Sequence, residues 1–288
     1  MEFIKNNKKY LFIFIACLLI MVVAIITQYN FYHIIGNYLF NPSYHYFQNS
    51  DVFIPKSHHN IFELISDVCR QTPLAFDSVL EFSTAYFVFL LPFLPLIGCI
   101  SFYSYYNRIF KFELVKRTSL KKNMYKKMIS NALKLSISVF IAYLCMYLIT
   151  MLITWMPTNN NAPNGFLTDL LSSSFYFKHT YIYFLLDGFI CFFYMPFVYA
   201  MLMQASVLVF GSFRNVLLTN IVYYFGLAAI GYVFLYINMA VGIHINPSSI
   251  MSSAEFEGIN SVVMILVSSI PLFIAIGIIQ WRSKYVEI

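Results

Sequence analysis

The chain has 288 residues and a net charge of +6, yet only 10% of it is charged while 60% is hydrophobic and 19% aromatic. That leaves too little polar surface to coat a soluble globule of this length, which excludes an ordinary water-soluble domain. What remains is an all-α polytopic membrane protein.

A helix crosses a hydrocarbon core of about 30 Å with roughly 20 apolar residues at about 1.5 Å each. Six runs qualify, at 10–26, 83–102, 133–155, 181–209, 216–237 and 262–281, and predict one transmembrane domain over 1–288. The first run follows Lys5, Lys8 and Lys9, as in a signal peptide, but continues into Gln28, Tyr29 and Asn30 without a small-residue cleavage site. It reads as a retained signal anchor. Phe14-Ile15-Ala16-Cys17 matches a lipoprotein cleavage box poorly, so lipidation is not expected.

The next segment, 28–82, is predicted to be extracellular. Its apolar residues, among them Phe31, Tyr32, Ile34 and Ile35 and later Ile61, Phe62, Leu64 and Ile65, suggest short amphipathic helices on the outer leaflet or capping the bundle. Pro92 and Pro95 in the second run, Pro196 in the fourth and Pro271 in the sixth predict kinks. The fourth run is longer than one crossing needs, so it should tilt, kink at Pro196 or project. Between the second and third runs, 104–130 carries eight Lys and Arg against one acid, Glu113. Shorter loops at 156–180, with a turn-rich tip around Asn159, Asn160, Asn161, Pro163 and Gly165, and at 238–261 complete the layout.

Positive charge collects in cytoplasmic loops, and this fixes the orientation. With both termini inside, fifteen of the eighteen basic residues face the cytoplasm and only Lys56, Arg70 and Lys178 face out. Asp51, Glu63, Asp67, Asp77, Glu81, Asp169, Glu255 and Glu257 then fall in the outside loops.

There is no phosphate loop, no Gly-x-Ser-x-Gly elbow and no His-Glu-x-x-His helix. No catalytic, cofactor-binding or metal residue is assigned, and ATP hydrolysis would have to come from another polypeptide. All six histidines, His33, His45, His58, His59, His179 and His244, map outside; His59 and Glu63 stand four residues apart but lack companions for a metal site, so they read as solvated or interfacial. Four of the five cysteines fall within spans, as small buried hydrophobes, and no outside pair is left for a disulfide. Asp187 is the one acid well inside a predicted span, where a carboxylate costs about 3 kcal/mol. It either faces a transport route, with Gln204 and Asn220 as further polar residues, or sits near enough to the outer interface to be hydrated.

The second run contains Leu91-Pro92-Phe93-Leu94-Pro95-Leu96 and leaves through Phe102-Tyr103-Ser104-Tyr105-Tyr106. Phe112-Glu113-Leu114-Val115-Lys116-Arg117-Thr118-Ser119-Leu120 follows, and then Lys121-Lys122-Asn123-Met124-Tyr125-Lys126-Lys127. Together these resemble the permease subunits of type-2 ATP-binding-cassette (ABC) exporters. The chain has Asn107-Arg108 and Phe110-Lys111 where the commoner pattern carries an acidic pair and a glycine.

The resemblance implies that 104–130 includes a coupling helix seated in a groove of a cytoplasmic ATPase subunit, with ATP bound by that partner. Phe110, Phe112 and Leu114 would anchor there, and Glu113, Lys116 and Arg117 would fix orientation. It also implies two permease subunits, the same or related. Membrane lipid is a partner and nucleic acid is not. The richness in Ile, Phe, Tyr, Asn and Lys resembles bacterial membrane proteins, so the expected location is a bacterial cell membrane. An aromatic outer segment and few intramembrane charges favour an amphipathic or apolar cargo, such as a peptide or a lipid-like compound. A secondary transporter, or a membrane enzyme using the outside histidines, is the alternative class.

Overall fold

The computed structural model describes residues 2–28, 75–107, 120–154, 156–158, 165–210, 212–251 and 260–286. Most of the predicted extracellular segment, at 29–74, and residues 108–119 of the coupling segment lie outside them. The described residues are helical, joined by short turns, with a single parallel bridge between Ala75 and Met156.

Six helical stretches are long and apolar enough to cross a membrane: Lys8–Thr27, Phe76–Tyr105, Lys122–Ile153, Thr180–Val209, Phe213–Ile237 and Ser261–Arg282. The first is a single helix, α1 (Glu2–Gln28). The second is broken into α2 (Phe76–Thr84), α3 (Phe87–Leu90) and α4 (Pro95–Tyr105). It starts seven residues before the predicted 83, because Phe76 and Asp77 donate their backbone N–H groups to the Met156 and Pro157 carbonyls at 2.9 and 3.2 Å. Pairing with so distant a segment leaves no periodic trace.

The third span is one long helix, α5 (Leu120–Ile153). Its 34 residues extend about 51 Å, well beyond a hydrocarbon core of about 30 Å, so its basic first turns project from the bilayer. Two short helices, α6 (Thr168–Leu171) and α7 (Ser173–Lys178), precede the fourth span. That span runs from α8 (Thr180–Phe189) through a π-helical turn at Ile190–Tyr194 into α9 (Met195–Val209). The fifth span is α10 (Phe213–Ile237), from which α11 (Met239–Ile245) folds back. The sixth is α12 (Ser261–Ser268) followed by α13 (Ile270–Val286).

Spans alternate in direction: Lys9 at the start of α1 meets Ser101 near the end of α4, and Gln204 late in α9 meets Met128 early in α5. The fourth span is the axis of the bundle. Of its best apolar window 56% is buried, against 28% for the first and fifth spans, so the outer helices present their apolar faces to lipid.

Each proline lies where the helix is interrupted. Pro95 opens α4, Pro196 follows the widened π turn, and Pro271 follows the Ser268–Ser269 break. Freed carbonyls need new donors in hydrocarbon. Pro92 cannot serve the Val88 carbonyl one turn back, and the Tyr224 hydroxyl of α10 donates to that oxygen at 2.6 Å. At the sixth-span break the Ser269 hydroxyl lies 2.6 Å from the Tyr194 hydroxyl, and it also reaches the Ile265 carbonyl.

Tyrosines also fasten α5 to α8. Tyr143 Oη donates to the Phe184 carbonyl at 2.5 Å and Tyr147 Oη to the Tyr181 carbonyl at 2.9 Å, while the Tyr143 ring stacks on Phe192 with centroids 4.6 Å apart. Gly188 makes this approach feasible, since a Cβ there would lie 2.0 Å from the Tyr143 ring. Gly242 does the same for the fold-back of α11, where a Cβ would meet the Leu235 backbone nitrogen at 2.5 Å.

Tyr224→Phe strands the Val88 carbonyl and should lower unfolding free energy by about 1–2 kcal/mol in detergent. Gly188→Ala displaces a buried, hydrogen-bonded ring and should cost about 1–3 kcal/mol. Denaturant titration of the purified chain checks both; an unchanged midpoint for either variant would refute its assigned role.

Candidate functional site

Two regions hold the functional residues expected from the sequence: the basic end of the bundle and the polar positions within it. At the basic end α4 closes at Tyr105 and α5 opens at Leu120, so these two helices bracket 108–119. Phe110, Phe112, Glu113, Leu114, Lys116 and Arg117 all lie in that stretch, outside the described residues.

The stems beside it are well packed. Phe102 stacks on Tyr106, Tyr103 packs on Phe213 with centroids 5.1 Å apart, and Lys127 Nζ lies 5.6 Å from the Tyr105 ring centroid. Lys9 donates to Ser101 and sits 4.7 Å from the Tyr10 ring centroid, binding the start of α1 to the end of α4. Lys122, Lys126 and Lys127 are exposed along the first turns of α5.

Just inside this end a buried polar chain crosses three spans. Tyr10 Oη donates to Asn131 Oδ1 at 3.5 Å, Asn131 Nδ2 donates to Gln204 Oε1 at 3.4 Å, and Gln204 Nε2 reaches the Met128 and Ala200 carbonyls at 3.3 and 3.1 Å. Both atoms of the Gln204 amide are therefore engaged between helices. Asn220 is fully buried and donates to the Tyr199 carbonyl at 3.1 Å, while its Oδ1 has no partner among the described residues.

Asp187 is half-buried on α8, with Cys191 Sγ 4.0 Å from its carboxylate; that thiol also lies 3.2 Å from the Ile250 carbonyl. It precedes Gln204 by seventeen residues, about 25 Å along the helix. Asp187, Gln204 and Asn220 are thus not gathered around one opening.

At the opposite end sits a carboxylate that was assigned above to a loop. Asp77 is fully buried in the first turn of α2 and accepts hydrogen bonds from the Ser78 backbone N–H at 2.7 Å, the Tyr176 hydroxyl at 3.0 Å and the Thr158 hydroxyl. An acid in a first turn also complements the helix dipole. Burial, and next the Asp77 charge, push the Tyr176 phenol well above its ordinary range, which keeps it a donor. The detectable clue was Asp77 itself, an acid at the very start of an apolar helical run, a recognised start signal.

His33, His45, His58 and His59, with Glu63, lie outside the described residues. His244 bonds through Nδ1 to the Ala240 carbonyl and through Nε2 to the Asn260 N–H, and His179 packs on Phe175. Among the described residues no three His, Cys, Asp or Glu side chains are grouped so as to hold a metal. Cys17, Cys99, Cys145 and Cys191 are free thiols within spans.

No family model, curated protein or solved structure matches this chain.

Asp77→Ala removes the acceptor that Ser78, Thr158 and Tyr176 share and should lower unfolding free energy by about 2–3 kcal/mol, whereas Gln204→Leu should cost only about 1 kcal/mol. Equilibrium unfolding in mixed micelles measures both, and equal effects would contradict this ranking.

Proposed function

We propose that the chain is the membrane-spanning permease subunit of a type-2 ABC exporter in a bacterial cell membrane, with its basic end and both chain ends in the cytoplasm. ATP would be hydrolysed by a separate ATPase subunit. The observation that carries this reading is the stretch between the second and third spans, with eight basic residues, one acid and an aromatic, apolar centre.

Charge partition supports the orientation. Lys8, Lys9, Lys122, Lys126, Lys127, Arg214 and Arg282 gather at one end of the bundle, and Asp77, Glu81 and Asp169 at the other. In this reading Phe110, Phe112 and Leu114 enter an apolar groove of the ATPase subunit, while Glu113, Lys116 and Arg117 set the angle of docking. Closure of the ATPases on ATP pulls this stretch, and α4 and α5, which bracket it, carry the movement into the bundle. A second permease subunit, the same or related, completes the pathway for an amphipathic or apolar cargo.

Asp187 favours one competing reading. A half-buried carboxylate within a span suits a secondary transporter driven by an ion gradient.

Affinity purification of the tagged chain in mild detergent, followed by mass spectrometry, should recover an ATPase subunit that a Phe112→Ala/Glu113→Ala/Leu114→Ala variant loses by about tenfold or more, as expected when apolar anchors are truncated. Recovery of no ATPase, together with transport that collapses with the ion gradient and in Asp187→Asn, would replace this reading with the secondary transporter. Impermeant labelling of a cysteine introduced at Asn123, in a chain whose outside Cys69 is replaced by serine, should succeed only in inverted vesicles; labelling in intact cells would reverse the orientation.

A further inference from the structure

An open apolar groove of about 430 Å³ runs between α1 and α5 on the outer surface of the bundle. Tyr10 and Phe14 form one wall, Ile137, Ser138 and Ile141 the other, and Lys134 stands at the basic end of the second wall. Leu11, Ile137 and Ile141 are all more than 40% exposed, so among the described residues no other helix covers these walls, which face lipid.

Depth gives the groove its meaning. Lys134 precedes the end of α5 at Ile153 by nineteen residues, and Lys9 precedes Thr27 by eighteen, which are rises of about 28 and 27 Å. Both match a hydrocarbon thickness of about 30 Å, so with the far ends of these spans at one boundary the two lysines stand at the other. From there the groove descends into hydrocarbon along positions 134 to 141, about 10 Å.

Among the described residues, charge at the mouth has one sign. Lys134 and Lys127 are exposed there and Lys9 is close by, whereas Asp77, Glu81, Asp169 and Asp187 belong to the other half of the bundle. An occupant must therefore combine a negative head with a hydrocarbon tail. A second copy of the chain fits less well, since a two-fold contact sets the same patch against itself and would oppose Lys134 to Lys134.

We propose that this groove is a binding site for an anionic phospholipid of the leaflet at the basic end, with its phosphate on Lys134 and the upper part of one acyl chain between α1 and α5. The site depends on the six membrane spans and not on the exporter reading. Lys134 acts through its charge on the headgroup, while Ser138, small and set between Ile137 and Ile141, leaves the space the chain fills.

Native mass spectrometry of the delipidated full chain, titrated with phosphatidylglycerol and phosphatidylcholine of identical acyl chains, tests this. The wild type should retain one phosphatidylglycerol about fivefold over phosphatidylcholine, the preference one interfacial lysine confers. Lys134→Gln, an exposed position whose change leaves the fold intact, should abolish the preference, and Lys178→Gln at the other end should keep it. Ser138→Phe should reduce retention of both lipids. Equal retention of the two lipids by the wild type, or an unaltered preference in Lys134→Gln, would overturn the proposal. So would a photocrosslinker at position 138 that joins two copies of the chain instead of lipid, which would make the groove an interface between copies.

Discussion

Hydrocarbon offers no donor to a stray backbone carbonyl, and the architecture follows from meeting that demand within the chain. Three of the six spans are regular helices only in part, because proline or serine interrupts the second, fourth and sixth. At each of the interruptions with a resolved partner, a tyrosine from another span supplies a hydroxyl: Tyr224 at Val88 and Tyr194 at Ser269. The high tyrosine content, 23 residues, thus has a structural use beyond an interfacial belt, since a ring that packs in the core delivers one donor at its tip.

Polarity is divided between the two ends of the bundle. The basic end binds its helices through the neutral side chains Tyr10, Asn131 and Gln204 and through Lys9 on Ser101, and keeps Lys122, Lys126, Lys127 and Lys134 outward. The other end buries a carboxylate, Asp77, beneath Tyr176 and Thr158 and lays Ile250, in the segment that follows α11, against Cys191 of the fourth span. One end is arranged to present charge and the other to seal.

The spans were legible in the sequence because length and hydropathy follow directly from bilayer thickness. So were the interruptions at Pro92, Pro95, Pro196 and Pro271. The start of the second span was not, since Phe76 and Asp77 are held by Met156 and Pro157, eighty residues distant, and an acid ahead of an apolar run reads equally well as loop. Gln204 and Asn220 were recognisable as interior polar residues, but periodicity does not distinguish a side chain facing a lumen from one bonded to a neighbouring backbone. Asn131, which completes the Gln204 network, drew no notice because it sits beside a run of lysines that dominates the local pattern.

The 34-residue length of α5 has a mechanical consequence. One unbroken rod is held near its basic end by Gln204, at Met128 and Asn131, and near its other end it grips α8 through Tyr143 and Tyr147. With the Gln204 attachment as a fulcrum, sideways displacement of the projecting first turns swings the far end the opposite way and drags α8 with it. The π-helical turn at Ile190–Tyr194, between α8 and α9, is then the joint at which such a swing is absorbed, leaving the axis of the bundle in place.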